Sequence, residues 1–154
     1  MLNQSAEYAL RAVVHLATLP ADQQASAGDI SDRTKVPIPY LQKVLRTLTR
    51  RGVLHAKRGM GGGFCLAKSS GEITVLEILN AFDSSPQRIE TCPLGIKGHT
   101  HLCPLHTLID EQVANAQRVF ATTTIHDILG SDSEIRPLCD GLARVSLGLP
   151  KDNR

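Results

Sequence analysis

"ISDRTKVPIPYLQKVLRTLTRRGVL", residues 30–54, decides how this chain is read. A helical pattern that includes Ile30 cannot run past Val36-Pro37-Ile38-Pro39. Proline has no N–H to donate and its ring crowds the preceding turn. Pro39 instead suits the first turn of a new helix. There Leu41, Val44, Leu45 and Leu48 recur at helical spacing. Tyr40, Gln42, Lys43, Arg46, Thr47 and Arg50 form the opposite, polar and basic face. Gly52 is well placed to stop the helix. Two helices joined by a tight turn, the second basic outside and apolar inside, make a helix-turn-helix.

The flanks extend that reading. Upstream, residues 5–19 carry Leu10, Val13, Val14 and Ala17 on one helical face, ended by Pro20. Ser26 and Asp29 form a short capping-box variant that opens the helix before the turn. Downstream, residues 53–57 and 63–67 predict two strands around Arg58-Gly59-Met60-Gly61-Gly62, a hairpin with a glycine-rich tip. The tip is not a nucleotide-binding loop, because no helix and no Gly-Lys-Ser/Thr follow it. A helix over residues 74–82, a loop over 83–101, a long helix from Pro104 and a short one over 124–129 complete the plan. The expected fold is mainly α with a small β-hairpin wing: a winged helix-turn-helix with a long C-terminal dimerisation helix. The expected organisation is a head over residues 1–82, a cysteine- and histidine-containing loop over 83–103, the dimer helix region over 104–130 and a tail over 131–154.

Charge agrees with that plan. The net charge of the 154 residues is only +2, yet residues 33–68 hold nine Lys or Arg and no Asp or Glu. Residues 69–154 hold seven basic and eleven acidic residues. A basic block inside a nearly neutral chain is the footprint of a polyanion partner, here double-stranded DNA. Gln42 has the donor and acceptor to read adenine, and Tyr40 can reach a base or a phosphate. Lys43, Arg46, Lys57 and Arg58 suit phosphates, which give affinity without sequence information. Gly59 and Gly61 let the wing backbone approach the duplex. The stripe Leu105, Leu108, Ile109, Val113, Ala116, Val119 and Phe120 is too long for a small domain to cover alone, so it predicts a partner helix. An imperfect palindrome is the matching target. No stretch of about 18 apolar residues predicts a membrane span. The first residues have no positive n-region ahead of Glu7, so a cytoplasmic protein is expected.

"TCPLGIKGHTHLCPLH", residues 91–106, does not serve a core. Clustered cysteines in a reducing compartment point to metal or redox chemistry. Cys103-Pro104-Leu105-His106 places a thiol and an imidazole within one helical turn. The pair with a nucleophile-and-base look has no oxyanion motif beside it, so no enzyme is expected.

"SAEYALRAVVHLA", the stretch quoted first and "KRGMGGGFCLAK" resemble the Rrf2 family of bacterial regulators, whose members include IscR, NsrR, RsrR and CymR types. The resemblance covers roughly residues 1–130. It implies homodimeric winged helix-turn-helix transcription factors with the long helix as dimer element. It also implies that the loop before that helix carries cysteines holding an iron–sulfur cluster. Many members have three; here Lys97, Gly98 and His99 stand where a middle cysteine is expected. The resemblance therefore leaves Cys92 and Cys103 as thiolate ligands, with His106 at the position of an IscR-type histidine ligand. Glu7 matches the first-helix acidic ligand of NsrR and RsrR types, from the same or the other subunit. His99 and His101 are further candidates. Arg11 replaces the RsrR-type histidine one turn later and cannot ligate iron. Incomplete thiolate ligation suits [2Fe–2S] better than [4Fe–4S]. The alternatives are a Cys92–Cys103 thiol/disulfide switch, a zinc or haem site, and a cluster-free regulator that binds a small molecule or partner protein, as the CymR type implies.

Overall fold

The computed structural model describes residues 2–21, 23–93, 95, 101–131 and 137. Among these residues, six helices and one two-stranded sheet follow in the order α1 (Gln4–Ala17), α2 (Ala27–Thr34), α3 (Ile38–Arg50), β1 (Leu54–Lys57), β2 (Gly63–Leu66), α4 (Val75–Ala81), α5 (Pro104–Thr122) and α6 (Ile125–Leu129).

Local chemistry sets the boundaries. Asn3 caps α1, its side-chain oxygen accepting the Ala6 N–H at 2.8 Å. The helix ends at Ala17, two residues before the expected boundary, because the Thr18 hydroxyl bonds back to the His15 carbonyl and closes the last turn. Ser26 and Asp29 form the full capping box of α2. Lys35 then takes a left-handed conformation (φ 57°), a non-glycine residue ending a helix. Pro37 and Pro39 open α3, and Gly52 (φ 75°) turns the chain into β1. Thr124 and Asp127 repeat the capping box at α6.

One core joins these elements. Ala9, Ala12, Val13 and Leu16 of α1, Ile30 of α2, and Leu41, Val44, Leu45 and Leu48 of α3 are buried together with Val53, Leu54, Ile73, Ile78 and Ile125. Truncating a fully buried leucine such as Leu45 removes about 2–5 kcal/mol in comparable cores. In the antiparallel β1–β2 hairpin, Leu54 faces Leu66 and Lys57 faces Gly63. The hairpin has a third partner that the pattern of residues did not reveal: Ala25 and Phe64 exchange backbone hydrogen bonds at 3.0 and 2.8 Å. That bridge ties the wing to the entry of α2. A second bridge, Thr74 to Thr124, ties the start of α4 to the start of α6.

His15 is buried in this core. Burial and the neighbouring positive charge of Arg33 lower its pKa below the usual 6.5, while Asp29 opposes them. In the unfolded chain His15 regains the ordinary value and binds a proton more readily. The unfolded state therefore takes up more protons as pH falls below about 6.5, and stability drops with it. Urea titrations at pH 7 and pH 5 should show a larger loss for the parent protein than for His15→Gln. Equal losses would remove His15 from the acid response.

Candidate functional site

The buried side of α3 fixes what its other side offers. With Leu41, Val44, Leu45 and Leu48 inward, Tyr40, Gln42, Lys43 and Arg46 are all exposed, Tyr40 by 59%. Arg46 and Lys43 line a groove of about 430 Å³ between α3 and the first turns of α1, together with Gln4, Ser5 and Tyr8. Lys57 and Arg58 are exposed at the far end of β1. The wing tip closes by a Gly62 N–H to Gly59 carbonyl bond of 3.0 Å. Gly61 takes φ 77° in the third position of that turn, which holds Met60 fully out in solvent beside Arg58. Gly59 (φ 96°) and Gly61 are needed for their backbone conformation. Gly62 and Gly63 are needed for space: an added Cβ would lie 2.3 Å from the Lys57 carbonyl oxygen and 2.5 Å from that of Ala25.

The second region is the start of α5. Cys103 is the N-cap of that helix, and its Sγ lies 3.3 Å from Nδ1 of His106. The tautomer of the imidazole decides which of the two donates. Cys92 is a half-buried free thiol whose carbonyl accepts the N–H of Gly95 at 3.1 Å. His101 is exposed, while His99 lies outside the described residues. Glu7 sits on α1 with its carboxylate bonded to the guanidinium of Arg11, one turn on, and both side chains are partly exposed. Among the described residues no three His, Cys, Asp or Glu side chains gather as a metal-binding group. The structure thus unites Cys103 with His106 and keeps Glu7 with Arg11.

Several contacts of this region carry no motif. Asp110 is buried on α5 and receives Arg88 Nε at 2.6 Å, Arg88 Nη2 at 2.5 Å and the Ile89 N–H at 2.9 Å. The Arg88 hydrogen bonds, then that N–H, hold the Asp110 carboxyl down at a pKa of about 2. Gln117 donates to the Pro86 carbonyl at 2.7 Å. At the other end of the same segment, Asn3 donates its backbone N–H to Ser84 Oγ at 3.0 Å and its side-chain N–H to the Phe82 carbonyl at 2.9 Å. Residues 82–89 are therefore a strap between the first turn of α1 and the inner side of α5. The opposite side of α5 is apolar and uncovered: Leu105 is 61% exposed, Leu108 56%, Ile109 41% and Val119 49%.

A family model described as "Rrf2: Iron-dependent Transcriptional regulator" matches residues 2–131. The chain belongs to the Rrf2 family. It is 30% identical over 138 residues to a putative HTH-type transcriptional regulator of Aquifex aeolicus, covering 87% of this chain and 94% of that one. It is 28% identical over 149 residues to the HTH-type transcriptional regulator IscR of Cereibacter sphaeroides, covering 94% and 96%. Its fold matches that of CymR, the global cysteine regulator of B. subtilis, with a TM-score of 0.72 at 19% identity, over 83% of this chain and 95% of that one. This Rrf2 protein is a DNA-binding transcriptional regulator of mostly helical, winged helix fold, and its relatives are regulators rather than enzymes. Among its described residues no helix is long and apolar enough to cross a membrane.

The two kinds of glycine at the wing separate by experiment. Gly59→Ala meets open space and only an unfavourable φ, at about 1 kcal/mol. Gly63→Ala must push the wing away from Ala25, an overpacking cost of about 1–3 kcal/mol. Hydrogen exchange should therefore show the Phe64 amide, bonded to Ala25, losing protection in Gly63→Ala and keeping it in Gly59→Ala. Equal protection in both variants would contradict this geometry.

Proposed function

We propose that this regulator is a homodimer that reads an imperfect palindrome and senses iron–sulfur status, redox poise or nitric oxide through the loop between Cys92 and Cys103. The observation that carries the sensing part is the 3.3 Å Cys103–His106 contact at the first turn of α5. It offers a soft thiolate and an imidazole to one metal at the root of the long helix.

In the DNA-binding half, Gln42 reads base edges from α3, Tyr40 reaches a base or phosphate, and Lys43 and Arg46 meet the backbone. Lys57, Arg58, Gly59 and Gly61 bring the wing to phosphates or a minor groove. The head is residues 1–82, the sensor loop 83–103, the dimerisation region 104–130 and the tail 131–154. The uncovered apolar side of α5 supports pairing with a second copy.

The donor set fits an iron–sulfur cluster in part. Cys92, Cys103 and His106 would supply three ligands, and thiolate-poor ligation suits [2Fe–2S] better than [4Fe–4S]. When bound, the cluster would supply a redox-active, ligand-sensitive centre. The fourth ligand would be Glu7, once Arg11 releases it, or His101 or His99. Cys103 and His106 sit at the first turn of α5, so a change at their side chains would act on the helix that spaces the two heads. A second reading, a Cys92–Cys103 thiol/disulfide switch without a cluster, is supported by both cysteines being free, half-buried thiols.

Anaerobically purified protein should carry iron and sulfide and absorb visible light. Cys92→Ala and Cys103→Ala should each abolish that absorbance, and Cys65→Ala, on β2 of the wing opposite His55, should not. Iron-free, sulfide-free protein whose DNA binding still switches with a Cys92–Cys103 disulfide would establish the second reading instead. On the DNA side, Arg58→Ala should weaken binding at every site and reduce the salt slope by roughly one. Gln42→Ala should relax preference at about one or two base pairs. Parent-like binding by both variants sinks the docking mode.

A further inference from the structure

We infer that Asp110, with Arg88, is the positioning pair that holds Cys92 opposite Cys103 and His106. The inference deepens the sensor-loop reading above and rests on it for the role of the three donors. Cys103, His106, Asp110 and Gln117 follow one another along α5 at helical spacing, so they share one stripe. That stripe faces the strap. Asp110 accepts two hydrogen bonds from Arg88 and one from the Ile89 N–H, and Gln117 accepts no part of that load but donates to Pro86. The strap thus lies against the very side of α5 that carries Cys103 and His106. Cys92 comes three residues after Ile89. The clamp fixes the strand of chain that delivers Cys92 to its partners.

The chemistry of the pair suits this task. A guanidinium and a carboxylate joined by two parallel bonds fix orientation as well as distance. Asp110 is buried, and the bond from a backbone N–H makes it hold the chain itself and not only a long side chain. Arg88 is half-exposed, so the pair closes the strap at its surface edge. The Asp110 carboxyl, held down at about 2, keeps its charge throughout the physiological range.

Without the clamp, the nearest side-chain bond to the strap among the described residues is that of Gln117 to Pro86, six residues from Cys92 instead of three. Doubling a flexible tether lowers the closure probability by about threefold, before any loss of orientation. The effective concentration of the Cys92 thiol at Cys103 should fall by at least that factor.

The test uses metal-free, reduced full-length protein in which Cys65→Ser and Cys139→Ser leave only Cys92 and Cys103. It is equilibrated anaerobically with reduced and oxidised glutathione and then alkylated. In the exchange, one glutathione disulfide oxidises the two thiols to one Cys92–Cys103 disulfide and leaves as two glutathione thiols, so electrons and protons balance. The ratio of disulfide to dithiol, multiplied by the square of the reduced glutathione concentration and divided by the oxidised one, gives the effective concentration. Asp110→Ala, which removes the acceptor of all three bonds, should lower it by about threefold or more, and Arg88→Gln, which keeps the Ile89 N–H bond, should lower it by less. Asp110→Glu, which keeps a carboxylate acceptor for Arg88 and the Ile89 N–H, should recover part of the loss. If Asp110→Ala fails to fold, the half-exposed Arg88→Gln decides alone, by any fall below the parent value. Unchanged exchange in the variants overturns the inference, and so does a parent protein that forms no such disulfide. Iron and sulfide analysis of the parent is read separately: absent iron defeats the cluster reading, while a fall in the clamp variants still upholds the positioning pair.

Discussion

Burial of Leu41, Val44, Leu45 and Leu48 is the constraint on which the rest of this molecule depends. Those four side chains leave α3 a single way to lie on α1 and β1. Every polar residue between them is then pushed outward, and the basic block of the sequence becomes a basic face of the protein. The turn before α3 serves the same end. Lys35 in a left-handed conformation and two prolines around Ile38 set the angle at which the helix leaves α2. Hydrophobic packing, which has no sequence specificity of its own, thereby decides which side chains are available to a duplex.

The long helix obeys a different logic. Residues 104–122 have one side committed to the strap through Asp110 and Gln117, and another left apolar in solvent. Of the stripe expected from spacing, Phe120 alone packs into the small cluster of Ala6, Val75 and Leu79. The inner side of the helix is thus attached to the strap through Asp110 and Gln117 and to the head through Phe120. Its outer side keeps the exposed apolar surface that monomeric proteins rarely leave uncovered. The strap adds a physical link in the other direction, since its first residues hold Asn3, the cap of α1, and its last residues precede Cys92.

Much of this is legible in the sequence. The helices of the head, the capping box at Ser26, the turn at Pro37 and the glycine-tipped hairpin all have local signals, in periodicity, capping or turn chemistry. The Cys103–His106 contact was legible for the same reason, because three-residue spacing on a helix is a geometric statement. The Ala25–Phe64 bridge was not, since a single residue of strand has no alternation to detect. Arg88 and Asp110 were not either: an ion pair between residues 22 apart in sequence leaves no trace in any window. Glu7 is the instructive case. Its spacing from Arg11 is that of a helical ion pair, and the described structure pairs the two, while the metal-ligand role comes only from the resemblance to known regulators.

The wing tip carries a consequence for how such a protein diversifies. Gly59 and Gly61 are held by backbone conformation, and Gly62 and Gly63 by the absence of room for a single methyl group. Of the six residues from Arg58 to Gly63, only Arg58 and Met60 have side chains that can change without rebuilding the turn. Met60 stands wholly in solvent, so substitution there is nearly free of folding cost. Across descendants of this chain, mutational drift at the tip is channelled into those two positions, and whatever new contact the wing acquires has to be invented by one of them.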